Sequence, residues 1–304
     1  MKKFYLTLLG TVFALGARAQ FEFNFRPGEW QLDSMYTVDK ETGQRMVTEV
    51  YEYNGDGTLA VLYSTSLDYD YFFEMYVSER AKTVLTYNNG RLEKTEGFWQ
   101  KGNDWVIMTR AELSDYDANG YPGTIIYYEA DDDDEGQMLP SAKWVVTKWT
   151  PKEPADYELF QPDFGQWESY SKTVSELNDK GQIVKQTHTT QGVGVEYVST
   201  STFEYDEHGY VTKETTTSDF GTSVDTYVNI YDADGNLQTV TEFDDGKEDQ
   251  TSYYFWSKDG KTAVRSPKQL QNAATWFDLG GRRLNAAPTR KGIFIQNGKK
   301  VYNK

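Results

Sequence analysis

The chain alternates apolar and polar residues with a period of two along most of its length. Residues 48–53, 83–87 and 197–205 show this pattern most clearly, and they are rich in Thr, Val and Tyr. Side chains of these types suit a pleated, half-buried strand. Between residues 20 and 267 no twelve-residue window carries a convincing helical stripe, and the nearest one, 74–82, stays ambiguous. The pattern therefore predicts an all-β protein.

A short turn motif, aromatic-Asp-x-x-Gly, separates the predicted strands. Full copies stand at 116–120, 205–209 and 231–235, and looser copies at 53–57, 87–90, 177–181 and 256–260. In such a motif Asp or Asn can accept hydrogen bonds from nearby backbone N–H groups, and Gly can adopt the positive φ that closes the turn. From Gly181 onward the motif glycines are 25 to 28 residues apart. Because that spacing fits two strands and two turns, each unit is predicted to be an antiparallel hairpin.

The sequence also contains a second repeat, whose period is longer than that of the hairpins. Gly-Glu-Trp at 28–30 is echoed by Gly-Gln-Trp at 165–167, and three of the eight prolines fall between 151 and 162. Prolines interrupt sheet ladders and mark linkers or edges. We therefore expect an antiparallel hairpin meander in two related lobes, residues 20–154 and 155–260, with a linker over 261–275.

The Tyr-Asp-x-x-Gly turns resemble the YD repeats of RHS-type bacterial surface and toxin-shell proteins. The resemblance is closest over residues 205–246 and looser in the N-terminal half, and the family's Gly-x-x-x-Arg-Tyr lead-in is missing. What the resemblance implies is local, namely consecutive antiparallel hairpins. The chain is too short to build the closed shell of those proteins.

The first nineteen residues have the order of a secretory signal peptide. Lys2 and Lys3 precede an apolar run over 4–15, and the small residues Ala17 and Ala19 occupy positions −3 and −1 of a cleavage site. The run is shorter than the roughly 18 apolar residues that an uncleaved membrane anchor needs, and no other segment is expected to span a bilayer. We predict export through the inner membrane, with a mature chain that begins at Gln20.

The last segment, 276–304, differs from the rest in charge. It contains seven Lys or Arg residues and one acidic residue, although the whole chain carries −16. Its motif resembles the C-terminal sorting signal of type IX secretion, and the residues that carry the resemblance are Asp278, Leu279, Gly281, Arg282, Gly292, Ile293, Gly298, Lys299 and Lys300. The resemblance implies a type IX-like secretion machinery as partner and a secreted or surface-attached product. The alternative is a basic β-hairpin that docks onto an acidic body, which would leave the protein periplasmic.

Composition excludes several kinds of chemistry. There is no Cys and there are only two His, so disulfides, thiolate metal sites and cysteine nucleophiles are absent and a histidine-built zinc site is not expected. The charge of −16 argues against nucleic acid and anionic membranes as partners. The acidic stretch 131–135 is interpreted as a solvated hairpin tip rather than a calcium site, because adjacent carboxylates on a loop rarely converge on one ion. The stretch 232–236 is interpreted as a turn, because position twelve from Asp232 is Phe243 instead of the bidentate Glu of a calcium loop. Neither His188 nor His208 is expected to be a ligand, and no catalytic motif or cofactor site emerges.

The chain is rich in aromatic residues, with 23 Tyr and 8 Trp. Trp99, Trp105 and Trp144 are candidates for stacking against sugar rings on a sheet face, although Trp and Tyr also serve as core and cross-strand ladder residues in a Leu-poor β protein. We therefore expect an exported, non-enzymatic protein that binds or scaffolds, with a glycan or a protein at the cell surface as partner. The alternative is a secreted carbohydrate-active hydrolase whose pair of carboxylates the sequence does not reveal.

Overall fold

The fold is that of a closed antiparallel β-barrel. A computed structural model describes residues 30–70, 75–131, 136–192, 195–258, 276–277, 283–284, 292–296 and 299–303. The barrel strands are β1 (Trp30–Asp39), β2 (Arg45–Tyr53), β3 (Leu59–Asp70), β4 (Met75–Asn88), β5 (Arg91–Lys101), β6 (Asp104–Ser114), β7 (Thr124–Ala130), β8 (Met138–Trp149), β9 (Pro154–Asp163), β10 (Gln166–Leu177), β11 (Ile183–Gln191), β12 (Glu196–Tyr205), β13 (Val211–Ser218), β14 (Gly221–Tyr231), β15 (Leu237–Asp244) and β16 (Lys247–Lys258). Each strand pairs with its neighbours in sequence, and β1 closes the ring on β16.

The all-β class is confirmed, but the expected meander of two lobes is wrong. The first and last strands pair over most of their length, with Thr37 opposite Ser252. The expected boundary near residue 154 is a tight turn between β8 and β9, in which the backbone N–H of Thr150 donates to the carbonyl of Glu153 at 2.9 Å. Pairing the first strand with the last leaves no edge strand whose backbone groups lack partners, which is the physical reason for closure. The ambiguous stretch 74–82 contributes to β4 from Met75 onward.

Alternate residues of the barrel strands point inward and outward. In β10 the side chains of Ser171, Thr173 and Ser175 are buried, and Thr173 is 1% exposed. Val174, which lies between two of them, is 47% exposed and therefore faces outward. The same alternation identifies the inner and outer faces of the neighbouring strands through the register of the ladders.

The motif turns that lie wholly within the described residues are at one end of the barrel, because they follow even-numbered strands in an antiparallel ring. We call this the motif end and the other the opposite end. The turn glycines have the predicted positive φ, for example +85° at Gly209 and +86° at Gly235. Aromatic side chains at the start of these turns donate hydrogen bonds to backbone carbonyls of the preceding strand. Tyr205 donates its hydroxyl to the carbonyl of Ile183 at 2.6 Å, and Trp256 donates its indole N–H to the carbonyl of Leu237 at 2.7 Å.

The apolar core lies inside the barrel toward the motif end. Its most deeply buried members are the first residues of odd-numbered strands or their neighbours, such as Ala155 and Ile183 at 0% exposure and Ile125 at 2%. Three clusters of buried residues line this part of the wall. The repeated turn therefore places an aromatic anchor and an aliphatic core residue in each of several hairpins, and side chains fill this end of the interior.

The C-terminal segment forms a separate small sheet. Its strands are β17 (Trp276–Phe277), β18 (Arg283–Leu284), β19 (Gly292–Gln296) and β20 (Lys299–Asn303), in the order β18-β17-β19-β20. In the β19–β20 pair Gln296 lies opposite Lys299. By contacts the chain divides into 1–260 and 261–304. Of the residues that carry the sorting motif, Gly292 and Ile293 lie in β19, and Lys299 and Lys300 lie in β20. The other motif residues lie outside the described residues, namely Asp278, Leu279, Gly281, Arg282 and Gly298. The predicted signal peptide and residues 132–135 also lie outside them.

Candidate functional site

The outer wall of the barrel carries ion pairs, one group in the middle of β5 and β6 and others near the ends of β10 to β13. On β5 and β6 the Glu96 carboxylate forms ion pairs with the Lys94 ammonium, with an N···O distance of 3.1 Å, and with the Arg110 guanidinium, with an N···O distance of 3.2 Å. Further pairs join neighbouring strands, Lys185 with Glu176 and Lys213 with Glu204. A Lys or Arg on the lipid face of a barrel costs about 2–4 kcal/mol at the bilayer midplane. The wall that these strands present is therefore suited to water rather than to lipid.

The interior changes from apolar to polar away from the motif end. His188 lies on the inner wall of β11, opposite Thr173, and is half-buried rather than on the surface. Its Nδ1 is 2.9 Å from the Thr173 hydroxyl and its Nε2 is 3.0 Å from the Thr190 hydroxyl. Burial lowers the pKa of His188. Because hydroxyls engage both ring nitrogens of a neutral ring, we interpret His188 as part of a structural polar network. The other histidine, His208, stacks on Tyr231 within a motif turn.

Carboxylates gather on the inner wall at the opposite end. Asp225 on β14 lies directly opposite Asp244 on β15 and opposite Glu214 on β13. Burial raises the pKa of Asp225, and the neighbouring carboxylates of Asp244 and Glu214 raise it further. Burial also raises the pKa of Glu242, although a hydrogen bond from Gln250 at 2.7 Å opposes the shift. Nothing in the sequence signalled this group, since it depends on cross-strand register.

No group of three or more His, Cys, Asp or Glu residues with the arrangement of a metal site occurs in the described part of the chain. The Asp232 carboxylate of the second acidic stretch is engaged by its own turn, where it accepts from the backbone N–H groups of Asp234 and Asn236, each at 2.9 Å. The described ranges also hold no helix long and apolar enough to cross a membrane.

A cleft opens in the wall where β4 and β5 part, also at the opposite end. The ladder between these strands stops at the pair Ala81–Trp99. Beyond it β4 continues along β3, whereas β5 turns into the tight β5–β6 hairpin, in which Lys101 lies opposite Asp104. The separation leaves a cavity of about 350 Å³ lined by Ser78, Glu79, Arg80, Trp99, Gln100, Lys101 and Gly102. We call these seven residues the β4–β5 cleft.

The β4–β5 cleft combines an aromatic face with cationic groups. Trp99 lies on the inner-facing side of β5 and is partly exposed. Arg80 is partly exposed and Lys101 is exposed, and among the described residues no carboxylate forms an ion pair with either of them. Two cations against one carboxylate reverse the balance of a chain with 31 basic and 47 acidic residues. An aromatic ring beside free Arg and Lys groups can hold an anionic ligand that has an apolar face.

The three tryptophans predicted as stacking residues do not form one platform. Trp99 lines the cleft, whereas Trp105 lies on the outer face, where the Lys82 ammonium stands 4.8 Å from its ring centroid. Trp144 lies in the interior and stacks on Tyr157 with ring centroids 4.7 Å apart. Sequence reasoning thus named one residue of the cleft and missed Arg80 and Lys101. Lys101 borders the β5–β6 turn, whereas Arg80 lies inside β4 and no feature of the sequence marks it.

Comparison with known proteins identifies no family for the chain. No family model matches it, and no curated protein matches it. Among solved structures it is similar to a porin-like protein from Bacteroides uniformis, with 12% identity, a TM-score of 0.48, and coverage of 74% of this chain and 98% of that one. A protein of unknown function from Bacteroides fragilis gives 13% identity, a TM-score of 0.32, and coverage of 43% and 94%. The Photorhabdus luminescens Tc holotoxin pore gives 10% identity, a TM-score of 0.26, and coverage of 87% and 18%. These identities and TM-scores are too low to support a function for this chain. Any function must therefore be argued from the geometry of the chain itself.

Proposed function

We propose that the protein is an exported, water-exposed β-barrel that binds a ligand in the β4–β5 cleft without transforming it. The observation that carries the proposal is the cleft itself, a cavity of about 350 Å³ with Trp99 beside the cations Arg80 and Lys101. Cavities of roughly 300–1,000 Å³ with a few polar groups around an apolar face are typical of small-ligand sites. The packed motif end supplies a rigid support, and the ion-paired outer wall fits a protein that works in water.

The experiment is a binding screen on an array of glycans and peptides with the wild type and two tryptophan variants. Trp99→Ala removes the aromatic face of the cleft, and we expect it to weaken the best wild-type ligand by about tenfold or more, as for a buried aromatic contact. Trp105→Ala is the matched control, because Trp105 lies on the outer face next to Lys82. Binding that is equally strong in Trp99→Ala and in the wild type would refute the cleft as the site.

Export is the second part of the proposal. It is supported by the signal-peptide pattern of residues 1–19 and by the motif in 276–304, with type IX-like secretion machinery as the proposed partner. The separate sheet of β17–β20 is compatible with a signal that folds by itself. The intact mass of protein recovered outside the inner membrane should correspond to a chain that begins at Gln20, and retention of the first nineteen residues would contradict this.

A secreted hydrolase stays as a second candidate because of one observation, the carboxylates Asp225 and Glu242 with raised pKa values. Hydrolysis of a glycosidic bond requires one protonated and one ionised carboxyl group on either side of the bond. The test is release of reducing ends from oligosaccharides by the wild type, Asp225→Asn and Glu242→Gln. Activity that both substitutions abolish would favour the hydrolase, and no activity in the wild type would reject it.

A further inference from the structure

We propose that the ligand of the β4–β5 cleft is an acidic carbohydrate, an oligosaccharide whose sugars carry carboxylate groups. The inference rests on the proposed binding function and goes one step further, to the chemical class of the ligand. It depends on three features of the cleft, namely one aromatic face, two cations and a set of neutral hydrogen-bonding groups.

The aromatic face selects for a ring. Trp99 is the last β5 residue paired with β4, and it therefore lies at the floor of the gap between the strands. Trp99 lies opposite the small Ala81 and is partly exposed, so part of its indole is accessible to a ligand. The C–H groups on one face of a pyranose are apolar, so they can pack against an indole while the ring hydroxyls point away from it.

The cations select for negative charge. Arg80 and Lys101 come from the two strands that part, one from each side of the gap. A guanidinium can hold a carboxylate through two parallel hydrogen bonds, and an ammonium adds a point charge. Among the described residues that line the cavity Glu79 is the one carboxylate, beside the two cations Arg80 and Lys101, so this described lining carries an excess of positive charge in a strongly acidic chain. The remaining polar groups, Ser78 and Gln100, suit hydroxyls, because both can donate and accept hydrogen bonds.

The size of the cavity limits the ligand that it can hold. About 350 Å³ accommodates one or two sugar rings and not a folded partner. The gap also exposes the β4 and β5 edges beyond the last ladder pair, to which an extended peptide could bind by adding a strand. A peptide that adds a strand would not require an aromatic ring and two cations in the lining of one cavity, so the observations favour the carbohydrate.

The test compares trigalacturonate with the same trisaccharide after its carboxyl groups have been reduced to alcohols. Titration calorimetry on the full mature chain should give at least about tenfold tighter binding of the acidic form, because each charge-assisted contact is worth roughly that much. Arg80→Gln should weaken the binding of trigalacturonate by about tenfold, since Lys101 remains, and should leave the binding of the reduced form unaffected. Trp99→Ala should weaken both. Lys94→Gln, a charge change on the outer wall, is the control and should alter neither.

Two results would overturn the inference. Equal affinity of the wild type for both trisaccharides, with loss of both in Trp99→Ala, would show a carbohydrate site that ignores charge and would leave the proposed binding function standing. Absence of binding of either trisaccharide, while an acidic peptide binds in a manner that depends on Arg80, would assign the cleft to peptides. Melting curves of every variant must match that of the wild type for these comparisons to count.

Discussion

Asp206 connects one motif turn to the next hairpin, and replacing it should cost more stability than replacing an equivalent turn residue. Its Oδ1 accepts the backbone N–H of Tyr210 at 2.8 Å within its own turn. Its Oδ2 accepts the side-chain amide of Asn229 at 3.0 Å and the hydroxyl of Tyr231, both from the following hairpin. Burial acts to raise the pKa of Asp206, but these hydrogen bonds outweigh it and the pKa is lowered.

The magnitude for Asp206→Asn follows from these contacts. An amide keeps one acceptor oxygen but places an NH₂ group against either the turn N–H or the Asn229 and Tyr231 donors. Hydrogen bonds to a charged group contribute about 1.5–3 kcal/mol each, and at least one is lost, so unfolding should become easier by about 2–3 kcal/mol. In a chain of this size that corresponds to a fall in melting temperature of roughly 4–10 °C.

The assay is urea denaturation at pH 7 and at several lower pH values. Because the native pKa of Asp206 is lowered, its ionised form stabilises the fold above the ordinary value of 3.8, and this stabilisation is lost as the pH falls through the native pKa. The difference between the wild type and Asp206→Asn should therefore shrink below about pH 4. Asp117→Asn is the control, since the exposed Asp117 carboxylate accepts only from its own turn, and its effect should be smaller. A loss below about 0.5 kcal/mol for Asp206→Asn would refute the role of this carboxylate as a link between hairpins.

Further predictions concern closure, the acidic wall and the tail. The double variant Thr37→Cys with Ser252→Cys should form a disulfide on mild oxidation, because the two native hydroxyl oxygens are 2.8 Å apart where β1 pairs with β16 and the chain has no other Cys. The disulfide should stabilise the fold by about 2–4 kcal/mol. Two thiols that stay reduced would argue against closure of the barrel. Asp225→Asn should stabilise the protein at pH 7 by about 0.5 kcal/mol, since it relieves the repulsion with Asp244 directly opposite. The raised native pKa means that this gain should vanish as the pH falls below the ordinary value of 3.8, and urea titrations at both pH values would check it. Deletion of 276–304 should leave the melting temperature within a few degrees and trap the protein in the periplasm, whereas lost stability with unchanged export would favour the docked hairpin.

The turns could be predicted from sequence because their chemistry is local. At 231–235 an Asp that accepts its own turn's N–H groups and a Gly at φ +86° are both encoded within five residues. Antiparallel hairpins follow directly from such turns. Closure does not, because the pairing of Thr37 with Ser252 joins residues 215 positions apart, and hairpins of the same sequence could equally end in two open sheets. The prolines near residue 154 led to a wrong lobe boundary for a related reason. A turn inside a continuous sheet and a linker between two lobes use the same residue types, so the sequence does not distinguish them.

The site was less predictable than the turns. Trp99 drew attention as an aromatic residue, but Trp105 and Trp144 did so equally. The alternation of faces separates the outer-wall Trp105 from the other two, and only the end of the β4–β5 ladder separates Trp99 from the core residue Trp144. Arg80 became part of the site because the β4–β5 ladder stops one residue before it. The position at which the β4–β5 ladder stops depends also on the hairpin that β5 forms with β6. It is therefore set by three strands together.

The central claim is that the β4–β5 cleft binds the ligand, and hydrogen exchange of the mature protein with and without trigalacturonate tests it most directly. Bound ligand should slow exchange of the backbone N–H groups in peptides that cover 78–80 and 100–102, where β4 and β5 have no ladder between them. The motif end should exchange as before. Protection that appears instead in peptides around Asp225 and Glu242 would contradict the claim and move the site to the acidic inner wall.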